Sequence, residues 1–185
     1  METTLQKRRS VRSFQNVSLS LQAVSQLLWA AQGLSGRHGL RTAPSAGALY
    51  PLDMYVAAGN VDGLATGIYR YDPADHALVL IKAGNHLDVL SRAALGQAAI
   101  SLAPVSFVIT GKERRTTGKY GARGVRYMLM ESGHAAQNLC LQAVALGLDS
   151  VTIGAFSDRE TAAILAVEKG ATPLYIIPVG KGARN

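Results

Sequence analysis

Residues Val125 to Leu146, VRYMLMESGHAAQNLCLQAVAL, decide how the rest of the chain is read. Tyr127, Glu131, His134, Asn138 and Gln142 recur there at intervals of four, three, four and four. On a helix of 3.6 residues per turn they form one polar stripe. Around the stripe stand Met128, Leu129, Met130, Leu139, Cys140, Leu141 and Leu146, with alanines between. A helix apolar nearly all round is buried on most sides, and a chain of 185 residues has little interior in which to hide one. The expected solution is a second copy packed against it, an obligate two-fold dimer. Glu131 and His134, three apart, have the spacing of a metal pair, but no third ligand accompanies them. They read as a polar ridge inside the dimer, no metal site is expected, and Cys140 reads as inert packing.

Outward from this helix the elements alternate. Ser18 or Ser20 caps a helix carrying Leu21, Val24, Leu27, Leu28 and Ala31 on one face, and Gly33 ends it. Trp29 lies off that stripe and suits either the dimer interface or the core. Leu52, Met54 and Val56 alternate as a strand. Gly67–Asp72 and Ala77–Lys82 are the arms of a hairpin, because Asp72-Pro73-Ala74-Asp75 is turn chemistry. A helix from His86 to Leu95, a strand from Pro104 to Thr110 and a basic, polar stretch from Lys112 to Arg126 precede the long helix. After it come a strand from Val151 to Ala155, a helix from Arg159 to Val167 capped by Ser157, and a last strand from Leu174 to Val179. Pro178 suits a bulge or strand end better than a central ladder position. The whole is α+β, a single domain over 1–185, with a central mixed sheet so apolar that helices must cover both faces.

Composition narrows the function. Nineteen Lys and Arg against twelve Asp and Glu leave a formal charge of +7, while 48% hydrophobic residues exclude a disordered chain. The charge admits nucleic acid or a phosphate-bearing cofactor, and motifs must choose. With 6% aromatics and no recognition motif, nucleic acid is not expected as a partner. A single cysteine permits no intramolecular disulfide, no apolar stretch suits a membrane span, and a reducing cytoplasm is the expected setting. Neither G-x-G-x-x-G nor the P-loop pattern occurs, nor H-E-x-x-H nor G-x-S-x-G. What remains is R-R-S-V-R at Arg8 to Arg12, P-S-A-G-A-L-Y-P at Pro44 to Pro51, V-T-I-G-A-F at Val151 to Phe156 and G-K-G-A-R at Gly180 to Arg184.

With the Y-x-x-x-E-x-G-H-x-x-Q-N of Tyr127 to Asn138, these motifs stand in the order and at the spacing of the FMN-dependent nitroreductases. The chain resembles that family over nearly its whole length, and within it the SagB-type azoline dehydrogenases. The resemblance implies a homodimer with FMN at the subunit interface. Arg8, Arg9, Ser10 and Arg12 would hold the ribityl phosphate and pyrimidine edge, and Lys181 and Arg184 would close on the same phosphate. Arginine's rigid fork of donors suits that task. Pro44, Ser45, Ala46, Gly47 and Ala48 match the loop that reaches the flavin from the second subunit. Ile153, Gly154 and Ala155 match the turn beside the flavin N5. Two departures bear on the reaction: Ala48 stands where ordinary nitroreductases have Asn, and Ile153 where they have Glu.

A bound flavin carries hydride chemistry, and the protein supplies orientation and electrostatics. NAD(P)H is the donor the resemblance implies. Lys119-Tyr120 matches the pair that the azoline branch proposes as a base, and a lysine serves so only if burial or nearby cations lower its pKa. Three readings are therefore carried forward: an FMN oxidoreductase, an azoline peptide dehydrogenase using Lys119 and Tyr120, and a non-catalytic flavin-binding protein.

Overall fold

The computed structural model describes residues 1–183. In chain order the elements are α1 (Glu2–Lys7), β1 (Leu19–Ser20), α2 (Leu21–Gln32), β2 (Leu52–Ala58), β3 (Val61–Asp62), β4 (Gly67–Asp72), β5 (Ala77–Ala83) and α3 (Leu87–Ala93). Then follow α4 (Ala98–Leu102), β6 (Val105–Lys112), α5 (Glu113–Tyr120), α6 (Arg123–Ala145), β7 (Asp149–Ser150), α7 (Asp158–Leu165) and β8 (Ala171–Gly180).

Local chemistry sets the expected boundaries. Ser20 Oγ accepts the Ala23 N–H at 3.2 Å and caps α2, whose C-cap is Gly33. Ser157 does the same for α7 through Glu160. Asp72 Oδ1 accepts the Ala74 N–H at 2.9 Å, which turns β4 into β5.

Six strands form one sheet in the order β5-β4-β2-β6-β8-β7. Every neighbouring pair in it is antiparallel, so the mixed character expected of the sheet is confined to the separate parallel pair β1–β3. Successive side chains of a strand face opposite ways. Met54, Val56, Phe107 and Ile109 pack with α2 and α6 on one face. Tyr55, Ala57, Val108 and Ile176 pack with α3, α4 and α7 on the other. Helices on both faces explain the nearly continuous apolar runs of β2 and β6.

The Val151–Ala155 segment is not the strand expected. β7 pairs Asp149 with Gly180 and Ser150 with Val179, then meets Pro178. Val151 donates to the Pro178 carbonyl at 3.4 Å, but proline has no N–H to return, and the ladder breaks there. It resumes for one residue, where Ile153 and Ile176 exchange both bonds. Pro178 thus ends the ladder with β7, but it is not at the bulge or strand end expected: β8 runs on to Gly180, and Pro178 stays in register opposite Ser106 of the central strand β6. The basic stretch from Lys112 also differs from expectation, for Glu113–Tyr120 is helix α5, packed on α6.

The long helix α6 is buried along Met128, Glu131, Ala135, Leu139 and Ala143. Leu129 and Met130 are 51% and 54% exposed in the single chain. The polar stripe is correspondingly split: Glu131 is inside, His134 outside and Asn138 between.

Candidate active site

Two groups of expected site residues come together at different places along α6. The first gathers both chain ends. Ser10 bridges Ser150, and Val11 donates to the Ser150 carbonyl at 3.0 Å. Gln15 donates to the Lys181 carbonyl at 2.8 Å, and Ala183 to that of Ser13 at 2.9 Å. The Arg8–Arg12 tract and Lys181, remote in sequence, are therefore held together by β-type pairing. Arg9 donates to the carbonyls of Gln6 and Arg8. Arg8, Arg9, Arg12 and Lys181 form no ion pair among the described residues, and such a cluster of cations is suited to an anion. Arg184 lies outside the described residues.

The Ile153–Ala155 turn follows directly from the same β7 edge. Ile153 is buried and anchored to Ile176, while Gly154 and Ala155 are exposed. Gln97 Nε2 donates to the Ala155 carbonyl at 2.9 Å. The backbone N–H groups of Gly154 and Ala155 have no partner among the described residues, which leaves two donors free for a ligand.

The second group is built on the loop after α2. Backbone φ is +63° at Gly47, +52° at Ala48 and +45° at Tyr50. Two non-glycine residues in this region within three positions are a concentration of strain of the kind found at functional sites. Tyr50 is pinned on both sides: its N–H donates to Ser45 Oγ at 2.9 Å, and its hydroxyl accepts the Arg41 N–H at 3.1 Å. The Arg41 guanidinium stacks over the Tyr50 ring at 4.7 Å and donates to Gln32 Oε1 at 2.7 Å.

Lys119 and Tyr120, at the C-terminal end of α5, meet this loop at Gly47. A methyl group added there would stand 2.6 Å from Tyr120 Oη and 3.0 Å from Lys119 Nζ. Glycine is what permits the approach. Tyr120 packs edge-to-face on Tyr127 of α6 at 5.1 Å, and Arg123 lies over the Tyr127 ring at 5.8 Å. One turn on, Glu131 is 2% exposed, and neither carboxyl oxygen has a hydrogen-bond partner. Burial pushes its pKa up, with Ser45 and Arg41 pulling the other way. Pro44, Ser45 and Ala46 line an open depression of about 260 Å³ with Tyr127, Met130, Glu131 and His134.

The two groups are separated along α6. Cys140 has the Ser150 hydroxyl beside it and feels the Arg8 charge, while burial pushes its thiol pKa up, in keeping with an unreactive thiol. Cys140 follows Glu131 by nine positions, about 14 Å of helix at 1.5 Å per residue. Trp29, 40% exposed, donates to the Leu34 carbonyl at 3.1 Å and borders a separate apolar cavity with Thr42, Asn138 and Leu141. Sequence reasoning missed Arg41 and Tyr50 as parts of the loop's support. A tyrosine ahead of Pro51 and a basic residue between α2 and that loop were the only local signals.

Comparison with known proteins follows the same outline. The family model described as the nitroreductase family matches residues 5–181. A protein of Methanocaldococcus jannaschii, provisionally named a nitroreductase, is 44% identical over 181 residues, covering 98% of this chain and 90% of its own length. The trifolitoxin operon protein TfxC of Rhizobium leguminosarum bv. trifolii is 28% identical over 193 residues. That alignment takes in 95% of this chain and 54% of TfxC, so the chain spans about half of that relative. Among solved structures, a protein of Ralstonia eutropha JMP134, also provisionally named a nitroreductase, superposes with a TM-score of 0.85 at 29% identity. The superposition covers 98% of this chain and 82% of that one.

Proposed function

Since the chain belongs to the nitroreductase family, and is therefore an oxidoreductase, we propose that it works as a single-domain, FMN-dependent homodimer of the SagB-type branch, with NAD(P)H as electron donor. The observation that carries this reading is the meeting of basic tracts from both chain ends, where Arg8, Arg9, Arg12 and Lys181 form no ion pair among the described residues and Asp149 is engaged by the Gly182 N–H, beside two backbone donors without a partner among those residues. That donor set fits FMN: Arg8, Arg12 and Lys181 would hold the phosphate, with Arg184 from the adjoining terminus, and Gly154 and Ala155 would donate to the ring. When bound, FMN supplies hydride acceptance and delivery. The chain's own part is to anchor the phosphate, present N–H groups to the ring and close the site with the strained Pro44–Ala48 loop.

That loop stands about 14 Å of helix away from the cationic cluster, next to the exposed Leu129 and Met130. A second copy packed on this face of α6 would bring its loop, with its Lys119 and Tyr120, to the first copy's cluster. Incubation with FMN, removal of excess and an absorption spectrum test the reading: about one flavin per chain is expected, and none refutes it. Anaerobic bleaching by NADH or NADPH then identifies the donor.

A second reading is favoured by one contact. Lys119 Nζ and Tyr120 Oη both abut Gly47, so a lysine-tyrosine pair is held at the loop where a substrate would meet the flavin. TfxC is named for a peptide-toxin operon, and on this reading the substrate is a thiazoline or oxazoline peptide, Lys119 taking the proton as hydride leaves. Wild type that cannot aromatise a thiazoline peptide rules it out, and Lys119→Ala should abolish the reaction if it occurs. Among the described residues no helix is long and apolar enough to cross a membrane, and a reducing cytoplasm accords with the single buried thiol.

A further inference from the structure

The strained loop and the helix that carries Lys119 and Tyr120 are tied by one side chain. Arg115 stands four residues before Lys119 on α5, and so on the same helical face. Its Nη1 donates to the Tyr50 carbonyl at 3.2 Å and to Asp53 Oδ1 at 2.9 Å. Among the described residues no other hydrogen bond links α5 to residues 44–50. Tyr50 is the left-handed residue that ends the loop, at φ +45°, a conformation that persists only where its surroundings fix it. Each of its polar groups is engaged: Ser45 accepts from its N–H, Arg41 donates to its hydroxyl and Arg115 to its carbonyl. Asp53, half-buried on β2, is held from its other oxygen as well. Its Oδ2 lies 3.3 Å from Lys112 Nζ, and Lys112 also donates to Glu168. A second side of α5 is pressed on α6, where a methyl group added at Gly124 would stand 2.7 Å from the Thr116 and Thr117 backbone.

We propose that Arg115 is a positioning residue: by tying the Tyr50 carbonyl to Asp53 it sets Lys119 Nζ and Tyr120 Oη at Gly47, where the substrate's proton is taken. This rests on the second reading of function, in which Lys119 takes that proton, and it adds a residue that never touches the substrate. Without the tie, Tyr50 is released on one side. The end of α5 can then move off Gly47 about Gly121, the residue at φ +56° that links α5 to α6. The requirement is for a charged donor that reaches two acceptors at once, so Arg115→Lys retains part of the effect and Arg115→Ala none. Arg114 supplies the comparison, since it is exposed and forms no ion pair among the described residues. Its loss removes the same charge from the same helix without touching the loop.

The test compares wild type with Arg115→Ala, Arg115→Lys and Arg114→Ala, each loaded with FMN. Reduction of the bound flavin by NAD(P)H needs no proton acceptor at Lys119, whereas aromatisation of a short thiazoline peptide, with dioxygen as final acceptor, does. Arg115→Ala should lower kcat for the peptide about ten- to a hundredfold, the loss that follows from misplacement by about an ångström. KM and the rate of flavin reduction should stay near wild type. Arg115→Lys should recover most of the loss, and Arg114→Ala should match wild type throughout. A second measurement needs neither flavin nor peptide. The methyl group of Gly47→Ala is opposed by Tyr120 only while α5 is held. In an Arg115→Ala background that substitution should therefore lower Tm by about 2–4 °C, against about 5–10 °C in the wild-type background. Equal losses of Tm in the two backgrounds, an unaltered kcat in Arg115→Ala, or flavin reduction slowed as much as the peptide reaction overturns the proposal. Wild type that leaves the thiazoline peptide unchanged refutes that reading of function. The melting comparison does not depend on it, and still upholds or overturns Arg115 as the residue that sets this junction.

Discussion

Replacing Gly47 by alanine perturbs the loop at the point where it touches Lys119 and Tyr120. Two contributions add. Backbone φ is +63°, a region in which alanine is less stable than glycine by about 1 kcal/mol. The new methyl would also stand 2.6 Å from Tyr120 Oη, against 3.4 Å for ordinary contact, so the ring must give way by about 0.8 Å. Turning it off its rotamer and away from Tyr127 costs about 1 to 2 kcal/mol more. Gly147, just past the other end of α6, separates the two contributions. Its φ is +73° with nothing within 4 Å of an added methyl, so Gly147→Ala meets only the backbone cost. For a chain of this size 1 kcal/mol corresponds to about 2–4 °C in Tm. Gly147→Ala should therefore melt about 2–4 °C below wild type and Gly47→Ala about 5–10 °C below. Turnover, followed as NAD(P)H consumption with a nitroaromatic acceptor, should be unaltered in the first. In the second it should fall by up to about a hundredfold on the proposed reading, in which Lys119 and Tyr120 stand where substrate meets the flavin, because the pair is displaced by nearly an ångström. Equal melting points and equal turnover in the two variants would refute the contact between the loop and the pair.

Other expectations are as direct. Arg8→Ala or Arg12→Ala should weaken FMN binding roughly tenfold or more, as loss of a charge-assisted bond implies, read from flavin fluorescence. Leu129→Glu with Met130→Glu should convert the proposed dimer to monomers in sedimentation and lower the affinity for FMN. Burial pushes the Tyr71 phenol up to about 12 from its ordinary 10.0, and its hydroxyl lies 2.8 Å from His76 Nδ1. The unfolded chain loses that proton first, so stability should hold below about pH 10 and fall from there towards pH 12. Tyr71→Phe should flatten that fall in alkaline unfolding curves.

Boundaries governed by one residue's chemistry were legible in the sequence. Ser20, Gly33, the Asp72–Asp75 turn and Ser157 each act within four residues of their own position, and the elements they delimit stand where they imply. What depended on a distant partner was not legible. Val151 and Ile153 carry strand chemistry, yet the ladder they would join is broken by Pro178, more than twenty residues away. Glu113–Tyr120 is too polar to show an apolar stripe, and it is helical because it packs on α6. The site divides in the same way. The Arg8–Arg12 and Lys181 motifs could be quoted, but only strand pairing shows that they meet. Glu131 belonged to a polar ridge by spacing, and its orphaned oxygens belong to the packing of a loop from another part of the chain.

The spacing along α6 has a genetic consequence. If the cationic cluster of one subunit works with the loop, lysine and tyrosine of the other, a chain lacking Arg8, Arg12 and Lys181 together and a Lys119→Ala chain are each inactive alone. In a mixed pair one of the two sites inherits both lesions and the other inherits neither. Random assortment makes about half the dimers mixed, so combining the two inactive proteins should restore about a quarter of the full activity. Two alleles with this protein's lesions at opposite ends of one helix would rescue each other, and two at the same end would not.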